Sequence, residues 1–210
     1  MARTFGTGWL AQVFFVAFRI PNMLRDLAGE GASNAAFVPV FSEYLATKPR
    51  QEFWRLITKV FVALVAVVTC ITALGIVFSP FLVRVLTPGF IEDAAKFALT
   101  VHMSRVLFIY LILISIAAFL MGVLYSFKSF LASSLSPGVF NVILIGAIMC
   151  ADNSIQGVWK LVVGVFIAGV LQIIVQLPAL FKCGFQFHAQ KYAERMSVAA
   201  IVADSGVRKI

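Results

Sequence analysis

Four stretches of this sequence have the length of a membrane-crossing helix and contain no Asp, Glu, Lys or Arg: Val60 to Val83, Val106 to Phe127, Ser129 to Ala151, and Leu161 to Phe181. A hydrocarbon core of about 30 Å takes roughly 20 apolar residues as an α-helix. Inside lipid, every backbone polar group must be satisfied within the protein, so only helices and closed barrels cross. Barrel strands are shorter and alternate polar with apolar residues, and these four runs do not alternate. The expected fold class is all-α, a polytopic membrane helix bundle.

Composition agrees. The chain is 61% hydrophobic and 12% charged, with a mean hydropathy of +1.00, whereas a soluble domain is nearer a quarter charged. The formal charge of +8 is no argument for a nucleic-acid partner, because Lys and Arg gather in the cytoplasmic loops of membrane proteins. No basic stripe with interleaved aromatics stands apart from the apolar runs, so no nucleic acid is expected. Cys70, Cys150 and Cys183 have no metal-type spacing and read as small apolar residues. No nucleophile–base pair or phosphate-cradling glycine loop is visible, and neither enzyme activity nor a cofactor or metal is expected.

The breaks are also legible. Lys128 alone separates the second run from the third, which predicts a tight helical hairpin. Thr87-Pro88-Gly89 reads as a turn, since Pro presets one dihedral and Gly permits the next. An amphipathic stretch follows, with Glu92 and Lys96 at i,i+4. Pro137-Gly138 predicts a bend early in the third run, and Asp152-Asn153 a short loop before the fourth. Residues 9–45 read as one further membrane helix, interrupted and carrying charges inside it. Arg19 and Pro21 stand where a signal peptide would need small residues for cleavage. The bundle is thus expected over residues 1–184, with spans at 9–45, 60–83, 106–127, 129–151 and 161–181. Residues 185–210 form a tail, either an interfacial helix or a linker.

Basic residues set the orientation. Ten lie on the side that carries Lys48, Arg50, Arg55, Lys59, Lys128 and the tail, and five on the side of Arg3, Arg84, Lys96, Arg105 and Lys160. The first side is expected to be cytoplasmic.

Arg19 and Arg25 remain, within the interrupted helix. A charge near the bilayer centre costs at least about 2.5–3.5 kcal/mol, so such residues face a partner or a wet cavity. Six positions apart, they are rotated by roughly 240° on an unbroken helix, but Pro21 between them can redirect the chain. Asp26 and Glu30 are placed to balance them. Two readings stand open from pattern alone: both arginines snorkel to an interface as topology anchors, or they line a polar cavity and grip an anionic headgroup bidentately. Asn141, Gln172 and Gln176 are expected to bridge helices by hydrogen bonds, and His102 to lie at an interface.

The run Phe14-Phe15-Val16-Ala17-Phe18-Arg19-Ile20-Pro21-Asn22-Met23-Leu24-Arg25, with Gly29-Glu30-Gly31-Ala32 and Ala36-Phe37-Val38-Pro39-Val40-Phe41-Ser42-Glu43-Tyr44, closely resembles the lipid II flippase family (MurJ or MviN) of the multidrug/oligosaccharidyl-lipid/polysaccharide exporter superfamily. Shorter matches are Thr87-Pro88-Gly89-Phe90, Lys96 to Thr100, Ser136-Pro137 with Asn141, and Gly169 to Pro178. The resemblance implies a carrier that moves an undecaprenyl-diphosphate-linked peptidoglycan precursor from the inner to the outer leaflet of the bacterial cytoplasmic membrane. It implies two lobes around a cationic cavity, of which this chain resembles part of one, so that a second polypeptide is an expected partner beside membrane lipid. Arg25 matches a cavity arginine on which the family's function depends, Arg19 a basic cavity position, and Gln12 a position commonly acidic in the family. The substrate-contacting residues expected are Arg19, Arg25, Glu30 and Gln12. The other readings are an exporter of a different lipid-linked sugar or drug from the same superfamily, and a non-transporting membrane assembly partner.

Overall fold

The computed structural model describes residues 8–25 and 32–185, with the backbone alone for residues 24, 25 and 32–36. Among the described residues six α-helices follow one another: α1 Trp9–Arg25, α2 Ala32–Thr47, α3 Arg50–Leu86, α4 Ala94–Ser126, α5 Phe130–Cys150 and α6 Ile155–Lys182. No strand occurs among the described residues. The last four are long and apolar enough to cross a membrane.

The central element is α4, which touches every other helix. Residue pairs along it fix the directions. Trp54 meets Phe127 while Arg105 bonds to Ser79, so α3 runs against α4. Tyr125 meets Phe130 and Tyr110 meets Phe140, so α5 does too. His102 meets Trp159 and Gln176 reaches Ala117, so α6 runs with α4. The two short helices pack against successive parts of α4. Leu10, Val13, Phe14 and Ala17 of α1 join a core with Leu107, Tyr110 and Leu111 of α4. Phe37, Val40 and Phe41 of α2 join a second core with Phe119, Val123 and Leu124 further along.

The helices run past the charge-free stretches. Lys96 and Arg105 lie inside α4, which starts at Ala94 because the Asp93 side chain caps it, accepting from the Lys96 backbone N–H at 3.0 Å. Glu92 therefore lies outside the helix, and the expected Glu92–Lys96 pair does not form: the Lys96 ammonium donates instead to Gln12 Oε1 at 2.7 Å. Pro88–Phe90 forms a single 3₁₀ turn. At the α4–α5 hairpin Lys128 takes a left-handed φ of 57°, and Ser129 N–H donates to Leu124 O at 3.0 Å. Helix α5 continues through Pro137, and α1 through Pro21. Residues 186–210, and with them nearly all of the tail, lie outside the described residues.

Two buried glutamines lock α4, α5 and α6. Gln176 Nε2 lies 3.2 Å from Ala117 O, 3.1 Å from Ser136 Oγ and 3.0 Å from Gln172 O. Gln172 Nε2 donates to Ser136 O at 3.2 Å. Asn141, by contrast, is exposed on α5 and takes no part in this network; the helix turns it outward. Interhelical hydrogen bonds in membranes contribute about 0.6 kcal/mol each on average, at most about 1.7. Gln176→Leu is accordingly expected to lower stability by about 1–2 kcal/mol in detergent unfolding. Combined with Ser136→Ala, its effect should be less than additive; strict additivity would mean the two side chains are not coupled.

Candidate functional site

The depth of Arg19 can be read from its neighbour. Phe18 stacks on Phe140 with ring centroids 6.4 Å apart, and lies 6.1 Å from the Tyr110 ring. Tyr110 in turn meets Phe166 of α6 at 6.5 Å. Tyr110 is the central residue of α4, Phe140 that of α5, and Phe166 lies close to the centre of α6. These four rings mark mid-depth. From the centre of α5 either helix end is about 15 Å away at 1.5 Å per residue, which matches half a hydrocarbon core. Arg19 adjoins Phe18 and so lies half-way along the bundle, about 15 Å from either end of α5.

Arg19 is exposed, on an open face of α1 that it shares with Gln12. The two are i,i+7, two turns and about 10 Å apart along the axis. Phe15 and Met23 also open onto this side. Further along, the exposed residues of α2 are Pro39, Ser42, Glu43, Ala46 and Thr47, with no large apolar side chain among its described ones. The outer surface of α3 is the opposite case, with Leu74, Val77, Phe78, Phe81 and Val85 all exposed. Lipid suits the α3 surface. The α1–α2 surface is mixed: on α1, Gln12 and Arg19 stand among exposed Trp9, Phe15 and Met23, and on α2 the exposed residues are polar or small.

Arg19 has no hydrogen-bond or ion-pair partner among the described residues. Asn22, one turn on, has its Oδ1 buried without a partner among them. The next cation on this surface is Lys96, bound to Gln12 and seated 3.8 Å from the centroid of the Phe90 ring. Its position was not legible in the sequence, where it counted as a loop residue; the Asp93 cap three residues earlier was the available signal. Arg105 is also exposed within α4, its Nε donating to the buried Ser79 hydroxyl at 3.1 Å. His102 meets Trp159 edge-to-face at 5.4 Å.

Of the residues singled out from sequence, the structure thus places Gln12 and Arg19 on one face. Arg25 is the last residue of α1, which is helical on both sides of Pro21; along a straight helix its Cα is rotated by roughly 240° from that of Arg19. The Arg25 side chain and the whole of Glu30 lie outside the described residues. No group of His, Cys, Asp and Glu able to hold a metal exists among the described residues.

The fold is that of a helical membrane protein, and Arg19, half-way along an exposed helix face, has no hydrogen-bond or ion-pair partner among the described residues. The lipid II flippase MurJ family matches residues 1–207. A probable lipid II flippase MurJ of Rhizobium tropici is 40% identical over 180 residues, covering 83% of this chain and 34% of that protein. The lipid II flippase MurJ of Burkholderia cenocepacia is 35% identical over 183 residues, covering 87% and 36%. A probable lipid II flippase MurJ of Treponema pallidum is 34% identical over 215 residues, covering 98% and 38%. The chain belongs to the lipid II flippase MurJ family. It spans rather more than a third of the length of these relatives.

Proposed function

We propose that this chain forms one wall of a carrier that moves a lipid-linked peptidoglycan precursor from the inner to the outer leaflet of the cytoplasmic membrane. The observation that carries the reading is Arg19, exposed half-way along the bundle on the same helix face as Gln12. A guanidinium there is stabilised by water or by an anion, and a diphosphate offers it bidentate acceptors. Arg25, at the end of the same helix, supplies a second cation, and Gln12 and Glu30 the polar surroundings. The prenyl chain stays in lipid while the headgroup crosses along the wall, with the opposing wall supplied by further polypeptide. Alternating access, one lobe rocking against the other about the headgroup, then carries it across. The end with Lys48, Arg50, Arg55, Lys59, Lys128 and Lys182 faces the cytoplasm.

The test is complementation by the complete carrier in cells depleted of their own flippase. Arg25→Ala is expected to abolish growth at undiminished protein abundance, and Arg25→Lys to retain part of it. Normal growth with Arg25→Ala would remove this residue from the mechanism.

A further inference from the structure

On the far side of the bundle, α5 and α6 enclose a groove of about 800 Å³. Its walls include Val142, Gly146 and Cys150 on α5, and Trp159, Val163 and Ile167 on α6. The floor is low because the helices approach closely, with Gly164 against the Ala147 Cβ. Along α5 the groove runs from the last residue, Cys150, to Val142, and along α6 from Gln156 to Ile167. At 1.5 Å per residue these are about 12 and 16 Å. Its inner end falls beside Phe140 and Phe166, at mid-depth. The groove therefore has the depth of one leaflet of the hydrocarbon core, about 15 Å.

The mouth is not apolar. Lys160 Nζ lies 3.4 Å from Cys150 O and 3.7 Å from Asp152 Oδ1, and both charged side chains are about half exposed, at 49% and 60%. Ser154 Oγ donates to Asp152 Oδ1 at 2.9 Å and accepts from Gly157 N–H at 3.0 Å. The serine hydrogen bond holds the Asp152 carboxyl below the usual carboxylate range, so it is charged at neutral pH. A plain anion would meet Lys160 and be repelled by Asp152. A headgroup carrying both signs matches the pair: phosphate against the ammonium of Lys160, and a primary ammonium donating to Asp152.

We infer that the α5–α6 groove is a binding site for an aminophospholipid of the ethanolamine type, one acyl chain lying along the groove and the zwitterionic headgroup spanning Lys160 and Asp152. A choline headgroup has no N–H to donate to Asp152, and a glycerol headgroup has no cation. Both should bind more weakly.

Trp159 lines the groove and makes the test direct. With Trp9→Phe and Trp54→Phe, Trp159 is the only tryptophan in the chain, and brominated acyl chains that enter the groove quench it. The full chain is placed in vesicles containing a minor fraction of ethanolamine, choline or glycerol phospholipid with brominated chains. Expected is a preference for ethanolamine of about two- to fivefold, the range of one exposed charge pair. Asp152→Asn should reduce it to the choline level, and Lys160→Gln should weaken quenching by all three lipids, since each carries the phosphate. A Cβ at Gly146 meets nothing within 4 Å, so Gly146→Leu should fill the groove without disturbing the helices and weaken quenching by all three lipids. Equal quenching by every headgroup, strongest quenching by the glycerol lipid, or a preference that survives Asp152→Asn would each overturn the assignment. Should Gly146→Leu fail to fold by circular dichroism, the two mouth variants, both on the surface, decide the question alone.

Discussion

Cells that depend on the complete carrier are expected to stop growing when Arg19 becomes glutamate, and to grow at a reduced rate when it becomes lysine. Arg19 is exposed and has no hydrogen-bond or ion-pair partner among the described residues, so neither change breaks one of these, and protein abundance should stay level. What changes is the charge at mid-depth. A hydrogen bond to a charged group is worth about 1.5–3 kcal/mol, so Arg19→Ala should weaken binding of a diphosphate-lipid by about 10- to 100-fold. Glutamate adds repulsion and should bind worse still. Lysine keeps the charge but loses the planar fork that grips two oxygens together. Binding of the diphosphate-lipid to purified variants, measured beside growth and abundance, separates these effects. Wild-type growth with Arg19→Glu would show that no anion passes this position.

The second large effect is on stability, at Gly75. A Cβ built there falls inside the contact surface of the Phe108 ring. The ring cannot retreat, because Phe108 is fully buried among Ile20, Val83 and Val101. On the same stretch the Thr72 hydroxyl lies 3.5 Å from Phe108 O, so the backbones are also close. Helix association in lipid depends on van der Waals fit, since lipid tails are as apolar as the side chains. Overpacking by a methyl group costs about 1–3 kcal/mol; Gly75→Ala should lie in that range and Gly75→Leu beyond it, read as a lower unfolding midpoint in detergent. Phe108→Leu in the same molecule should recover part of the loss, because the pair is in direct contact. An unchanged midpoint for Gly75→Ala would mean that α3 and α4 separate freely.

Lys128 illustrates what could be read early: a single charge between two apolar runs allows only a tight reversal, and the hairpin is there. Gln172 and Gln176 were readable for the same reason, since a carboxamide in lipid must find a partner on a neighbouring helix. Asn141 departs from the expectation: it faces outward and bridges no helices among the described residues. Helix α4 runs on past the charge-free run, through Arg105 and Lys96, because charge does not set helix length. Helix continuity depends instead on a capped start and unbroken backbone hydrogen bonds, and Asp93 supplies the start. The contact between Lys96 and Gln12 joins residues 84 positions apart, and no local pattern contains it.

The sequence by itself determined the solvent, the helical class and the presence of two cations where lipid would be expected, because each follows from the cost of placing polar groups in hydrocarbon. Family membership was also written in the run from Phe14 to Arg25. Only the tertiary structure decided where along the bundle Arg19 lies, which face it occupies, and which side chains are exposed beside it. Those properties depend on which helices pack together and in what rotation. That is set by the fit of distant side chains, such as Phe18 on Phe140 or Gly75 on Phe108, rather than by neighbours in the chain.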